Sequence, residues 1–294
     1  MEVQISLTVS ESKRLIAKGV VSLPEVKEAF ENGKIILKGG TTVSAICEEI
    51  VDMPLRICGR VTRRGTVTAK NSSQEHAHSV LIEKGTVKNI DDTIIEVTQG
   101  LGRGDVVIIS GNAIDVDGNA AMMAGSPGGG NPGIAISGML AQGARLIIPI
   151  GLEKLIPGSI QEAVKAAGRD KDLSYGMAVG LIPLIGKVVT EKDAAEIVSD
   201  VRCTVIGRGG INGAEGSTVM DVEGEEVGVK KLLKIVDEIK GTGISGEESS
   251  MEECEGRGIG CKEHNSCIYR GGHNSPLHRG ISRDRIQGNT ATTR

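Results

Sequence analysis

The run Val106-Val107-Ile108-Ile109 constrains this chain more than any other feature. It is apolar without alternation and rich in β-branched residues, so it predicts a central parallel strand buried on both faces. The run stops at Ser110-Gly111. The polar residues Asn112, Asp115, Asp117 and Asn119 then follow its carboxyl end, where open α/β sheets hold their ligands. A glycine-rich stretch leads on to Asn131-Pro132, an N-cap followed by proline at the first helical position. The unbonded amides and positive dipole end of that helix make Gly128, Gly129, Gly130 and Asn131 a plausible anion cradle.

A second junction of the same kind stands earlier in the chain. The strand Lys34–Lys38 (KIILK) is followed by Gly39-Gly40-Thr41-Thr42 and then by a helical stretch, Val43 to Val51. In one parallel sheet both loops fall on the same edge and can share a ligand. Gly143 reads as a C-cap before a further buried strand, Ala144 to Ile150, which completes a βαβ unit. Gly151-Leu152-Glu153-Lys154 follows that strand, and reads equally as cleft lining or as a solvated turn.

Around these junctions, helices are predicted over 10–18, 24–31 and 159–168, and strands over 55–62, 66–70, 79–87 and 92–98. His76 and His78 read as a polar strand edge with no chemistry assigned. From Leu181 the pattern changes to a small α/β subdomain: a helix capped by Thr190 and Asp193, strands over 202–206 and 218–223, and a helix over 225–240. The glycine-rich hairpin 207–217 between its strands reads either as flexible or as a second ligand lip. The organisation expected is therefore a Rossmann-like α/β domain over 1–180, the small subdomain over 181–243, and a linker with a Cys/His-containing tail over 244–294. In that tail Cys254, Cys261, His264 and Cys267 are the right number and kind for a closed zinc site, against the alternative of a disordered tail with incidental cysteines. Arg270, Arg279, Arg283 and Arg285 make its end basic.

Composition narrows the partners. Three aromatic side chains, no tryptophan and a formal net charge of -4 leave neither a base-stacking platform nor a phosphate-backbone surface, so nucleic acid is not the expected partner. The first residues carry no basic-then-apolar signal and no stretch is long enough to cross a bilayer, so a cytoplasmic protein without a membrane partner is expected.

The assembled motifs resemble the superfamily that joins type A ribose-5-phosphate isomerase, glucosamine-6-phosphate deaminase, the sugar-phosphate sensor domains of DeoR-type repressors, initiation-factor-2B-like isomerases and CoA transferases. Gly39-Gly40-Thr41-Thr42 is similar to its first phosphate loop, the segment Ser110 to Asn119 to the isomerase's G-A-D-E-V-D-P-x-x-N segment, and Gly128-Gly129-Gly130 to the glycine run that follows. The resemblance implies a Rossmann-like fold, a homo-oligomer, and a small phosphorylated ligand. Gly39, Gly40, Thr41, Thr42, Gly128, Gly129, Gly130 and Asn131 would hold its phosphate. Asn112, Asp117 and Asn119 would read hydroxyls, and Asp115 is the expected catalytic base. The isomerase's lysine before the glycine run is replaced by Met122-Met123 or Ser126-Pro127, and its carboxylate in the next helix is missing. An isomerase- or transferase-type enzyme, a non-catalytic sensor or scaffold, and a metal-binding protein therefore stand as the function classes.

Overall fold

The computed structural model describes residues 1–70, 76–257 and 259–270. At its centre is a six-stranded mixed sheet in the order Lys187–Val189, Arg145–Pro149, Val106–Ile109, Lys34–Lys38, Ser79–Glu83, Thr86–Asn89. The first four strands are parallel and the last two antiparallel. The missing alternation has a direct cause: both faces are covered. Ile35, Leu37, Val106 and Ile108 pack on one face with Leu15, Ile16 and Val20 of the helix Val9–Ser22 and Val43 and Ile46 of the helix Thr41–Val51. Ile36, Val107, Ile109, Leu146 and Ile148 pack on the other with Ile94 of the helix Ile94–Gln99 and Ala135, Ile136 and Met139 of the helix Gly130–Ala141.

A second, antiparallel sheet has the order Glu2–Leu7, Ser217–Glu223, Arg202–Gly209. Its inner residues Ile5, Leu7, Cys203, Met220 and Val222 share the first core with Val229, Leu232 and Val236 of the helix Glu226–Ile239. The residues after 181 therefore do not stand apart from the front half. Lys187–Val189 extends the central sheet, and the N-terminal strand, unforeseen in the sequence, completes the sheet beyond residue 200. A third small sheet, Gly180–Leu184, Ala120–Ala124, Ala113–Ile114, is also antiparallel.

Two local expectations are corrected. Residues 92–98, β-branched enough to suggest a strand, form the helix Ile94–Gln99, because Ile94 and Thr98, one turn apart, bury a single face. The expected linker after residue 243 is docked on the body. The Ser245 hydroxyl lies 2.8 Å from Ser44 Oγ and 2.6 Å from Glu48 Oε1, Glu247 N donates to Leu55 O, and Ile57 N donates to Ser250 Oγ at 2.9 Å. Short polar side chains matched to buried partners, not apolar periodicity, hold this segment. Among the described residues no helix is long and apolar enough to cross a membrane.

The helices Val9–Ser22 and Glu191–Ser199 meet at Gly19, where an added Cβ would lie 2.6 Å from Ala194 Cβ and 2.8 Å from its Cα. Gly19→Ala gains helix propensity of roughly 1 kcal/mol but overpacks a backbone contact by roughly 1–3 kcal/mol. A net loss of about 1 kcal/mol in urea unfolding is expected; a stabilised variant would show that the helices separate without cost.

Candidate functional site

The parallel strands place Gly39-Gly40, Ser110 and Gly151 on one sheet edge. Gly39 is required there for a local reason: its N donates to His78 O at 2.6 Å, and a Cβ would overlap that residue. Gly40 is the N-cap of the helix Thr41–Val51 and offers no side chain to its first amides. Ser44 N, one turn in, bonds Gly40 O; the amides of Thr41, Thr42 and Val43 find no acceptor among the described residues. The Thr42 hydroxyl is buried and likewise unpartnered. A Cβ on Gly40 would sit 4.0 Å from Ser110 Cβ, so the end of the neighbouring strand borders the same spot.

The third strand contributes charge. After Pro149 the chain makes the turn Leu152–Lys154, held from beneath by the buried Glu191 carboxylate, which accepts from Leu152 N at 2.9 Å and Thr218 Oγ1 at 2.7 Å. This turn aims Lys154 Nζ at Ser110 Oγ (3.5 Å), with Glu153 Oε1 3.7 Å from the same ammonium. Both Glu153 oxygens are inaccessible to solvent and accept no hydrogen bond. Of the two readings left open for Glu153 and Lys154, the structure thus favours cleft over solvated turn. The glycine-rich hairpin meets them as well, since a Cβ on Gly216 would lie 3.3 Å from Glu153 Cβ and 2.9 Å from Val9 Cγ2.

Lys13 completes the group and was not singled out from the sequence. It is 8% exposed and has no hydrogen bond or ion pair among the described residues. Burial and the Lys154 charge push its amine down to about 8, against the opposing pull of Glu153. A signal was present: Val9, Lys13, Ile16 and Val20 form one stripe at helical spacing, interrupted by a single charge.

Burial and the Lys38 ammonium push His78 down to about 3, so its imidazole is neutral. Its Nδ1 lies 2.8 Å from Arg56 O, which can only accept, so Nδ1 carries the proton. His78, read from the sequence as part of a polar strand edge, is thus a partly buried residue whose ring bonds backbone. Lys38 is itself pushed down by burial, and Cys58 opposes that shift.

The remaining expected site residues divide differently. Asp115 is buried and its carboxylate accepts from Asp117 N, Asn119 N, Asn119 Nδ2 and Ile160 N, which lowers its pKa, the Ile160 amide first. It closes a turn and ties it to the start of the helix Ile160–Ala166, leaving little capacity for a base. Asn112 Oδ1 accepts from Met123 N, and Asp117 and Asn119 are exposed on the hairpin tip. These four residues therefore build a hairpin where the sequence suggested a simple strand–loop–helix junction. Gly128, Gly129 and Gly130 all have positive φ and start the helix Gly130–Ala141 without a side-chain cap; Asn131 is exposed. No hydrogen bond among the described residues joins this run to Gly39, Gly40, Thr41 or Thr42.

In the tail, Cys267 pairs with Ser174 in a β-bridge and Cys254 N bonds Thr68 O, so the cysteines are anchored to the body. The Cys267 thiol is raised by burial and by the nearby Cys254 and Cys261. Among the described residues no group of three or more His, Cys, Asp or Glu side chains is placed to hold a metal ion, Cys254, Cys261, His264 and Cys267 included. Arg279, Arg283 and Arg285 lie outside the described residues.

No family model matches this chain, and no curated protein or solved structure does either.

Proposed function

We propose that the protein binds a small phosphorylated metabolite at the carboxyl edge of its parallel strands, in a Rossmann-like arrangement similar to that of the sugar-phosphate isomerase superfamily. One observation carries this reading. The uncapped amides of Thr41, Thr42 and Val43, the unpartnered Thr42 hydroxyl and the Lys154 ammonium border the same strand ends. Such donors, gathered at a helix N-terminus beside a cation, match a dianionic oxygen cluster. Relative to the sequence expectation the phosphate contacts narrow to Gly40, Thr41 and Thr42, with Val43, Ser110 and Lys154 added.

Inorganic phosphate and sugar phosphates at roughly 100 times their Kd are expected to stabilise the protein by about 2.7 kcal/mol, read as a raised Tm. Thr42→Val keeps the shape and removes a buried hydroxyl with no partner, so its unliganded stability is expected to stay at or above that of the wild type. Combined with Lys154→Met it is expected to lose most of the phosphate response. An equal response in the double variant would sink the reading.

A further inference from the structure

Glu153 and Lys13 make opposite demands on a ligand. The Glu153 carboxylate is sealed from solvent and accepts no hydrogen bond, its cation being the Lys154 ammonium at 3.7 Å, so it calls for a donor; Lys13, a buried residue with no hydrogen bond or ion pair among the described residues, calls for an acceptor or an electrophile. They belong to one place. Val9 and Lys13 are one turn apart on the same helix face, Val9 meets Gly216, and Gly216 meets Glu153. Phosphate alone, all acceptors when ionised, offers Glu153 no hydrogen-bond donor.

Resting on the phosphate site proposed above, we infer that this site acts on a phosphorylated carbonyl compound, a sugar phosphate in its aldehyde or ketone form, and that Lys13 Nζ forms an imine with the carbonyl carbon. The neutral amine adds to the carbonyl carbon as the C=O π pair moves to oxygen. Glu153 carries one proton from the attacking nitrogen to the alkoxide oxygen, giving the carbinolamine, and then carries the second nitrogen proton to that hydroxyl, which leaves as water as the nitrogen pair forms the C=N bond. Lys154 holds the anionic end. An ordinary lysine near 10.5 is roughly 0.03% neutral at pH 7, whereas one near 8 is roughly 10% neutral, a gain of a few hundred-fold in the form that can attack. Two lysines in one low-dielectric site, one held close to the other, is the arrangement by which an amine is kept neutral.

Glyceraldehyde 3-phosphate with sodium cyanoborohydride is the probe, used on the full chain, with the adduct located by peptide mass spectrometry. Hydride from the reagent converts the imine to a stable secondary amine. The expected result is an adduct concentrated on Lys13, reduced at least about tenfold by competing inorganic phosphate and by Glu153→Gln. The same expectation holds for the contrast with unphosphorylated glyceraldehyde. Lys13→Arg is expected to abolish the adduct. Adducts spread over exposed lysines with Lys13 unmodified, while phosphate still raises Tm, would overturn the imine and leave the binding site intact. Loss of both the Lys13 adduct and the Tm response would overturn both readings. Because the wild-type protein carries the decisive measurement, a variant that failed to fold would not remove the test.

Discussion

Glu11→Ala is expected to lower the unfolding free energy by about 4 kcal/mol, read from urea denaturation, because three donors converge on one buried carboxylate. Thr8 N donates to Oε2 at 2.8 Å and Gly241 N to Oε1 at 2.9 Å, and Lys240 Nζ lies 3.1 Å from Oε2. Glu11 is thus the N3 residue of a capping box on the helix Val9–Ser22 and also the clasp that fastens the end of the helix Glu226–Ile239. Burial alone would raise its pKa, but the Gly241 and Thr8 amides and Lys240 outweigh burial, and the carboxyl sits below its ordinary value of 4.5. Its contribution is therefore present above about pH 4.5 and is lost as pH falls through the lower folded value, so the gap between wild type and variant narrows in acid. Glu11→Gln is expected to recover only part of the loss. All three partners are donors without a free lone pair, and the new amide nitrogen would face at least one of them.

Glu191→Ala is expected to cost about 3 kcal/mol and also to weaken the phosphate response, since it removes the support under Leu152–Lys154. Here the amide control behaves differently. Glutamine can accept from Leu152 N through its oxygen and donate to Thr218 Oγ1, because a hydroxyl can reverse its role. Glu191→Gln is expected to stay within about 1 kcal/mol of wild type. Burial raises the Glu191 carboxyl above 4.5, with the Thr218 and Leu152 hydrogen bonds opposing. The native state therefore holds this proton more tightly than the unfolded chain, and wild-type stability falls as pH rises from about 4.5 through the raised value. The glutamine variant lacks that decline, so urea midpoints of the two proteins compared near pH 4 and near pH 8 should diverge in the variant's favour. Parallel profiles would show that Glu191 ionises without cost.

Much of the scaffold was readable in advance. KIILK and VVII are strands with the predicted bounds, and the Thr190–Asp193 and Ser159–Glu162 caps start helices where expected. These signals are local, arising from apolar runs buried on both faces and from side chains satisfying amides three residues away. The N-terminal strand Glu2–Leu7 was missed because its edge partner lies some 215 residues later, as in Ile5 opposite Met220. The docking of 244–251 was missed because serine hydroxyls bonded to Ser44, Glu48 and Ile57 read as linker composition.

By itself, the sequence determined that this chain makes a mixed α/β fold with parallel strands, since periodicity and capping act within a few residues and need no partner to be recognised. Tertiary structure alone decided which polar residues meet. Asp115, placed after a strand end like a catalytic group, spends its carboxylate on its own hairpin and Ile160. Lys13, in the second turn of an ordinary-looking helix, is set unbonded beside Glu153 and Lys154. A carboxylate or an amine takes its character from burial and from the charges across the gap, and those neighbours come from strands and helices that only the folded chain brings within a few ångströms.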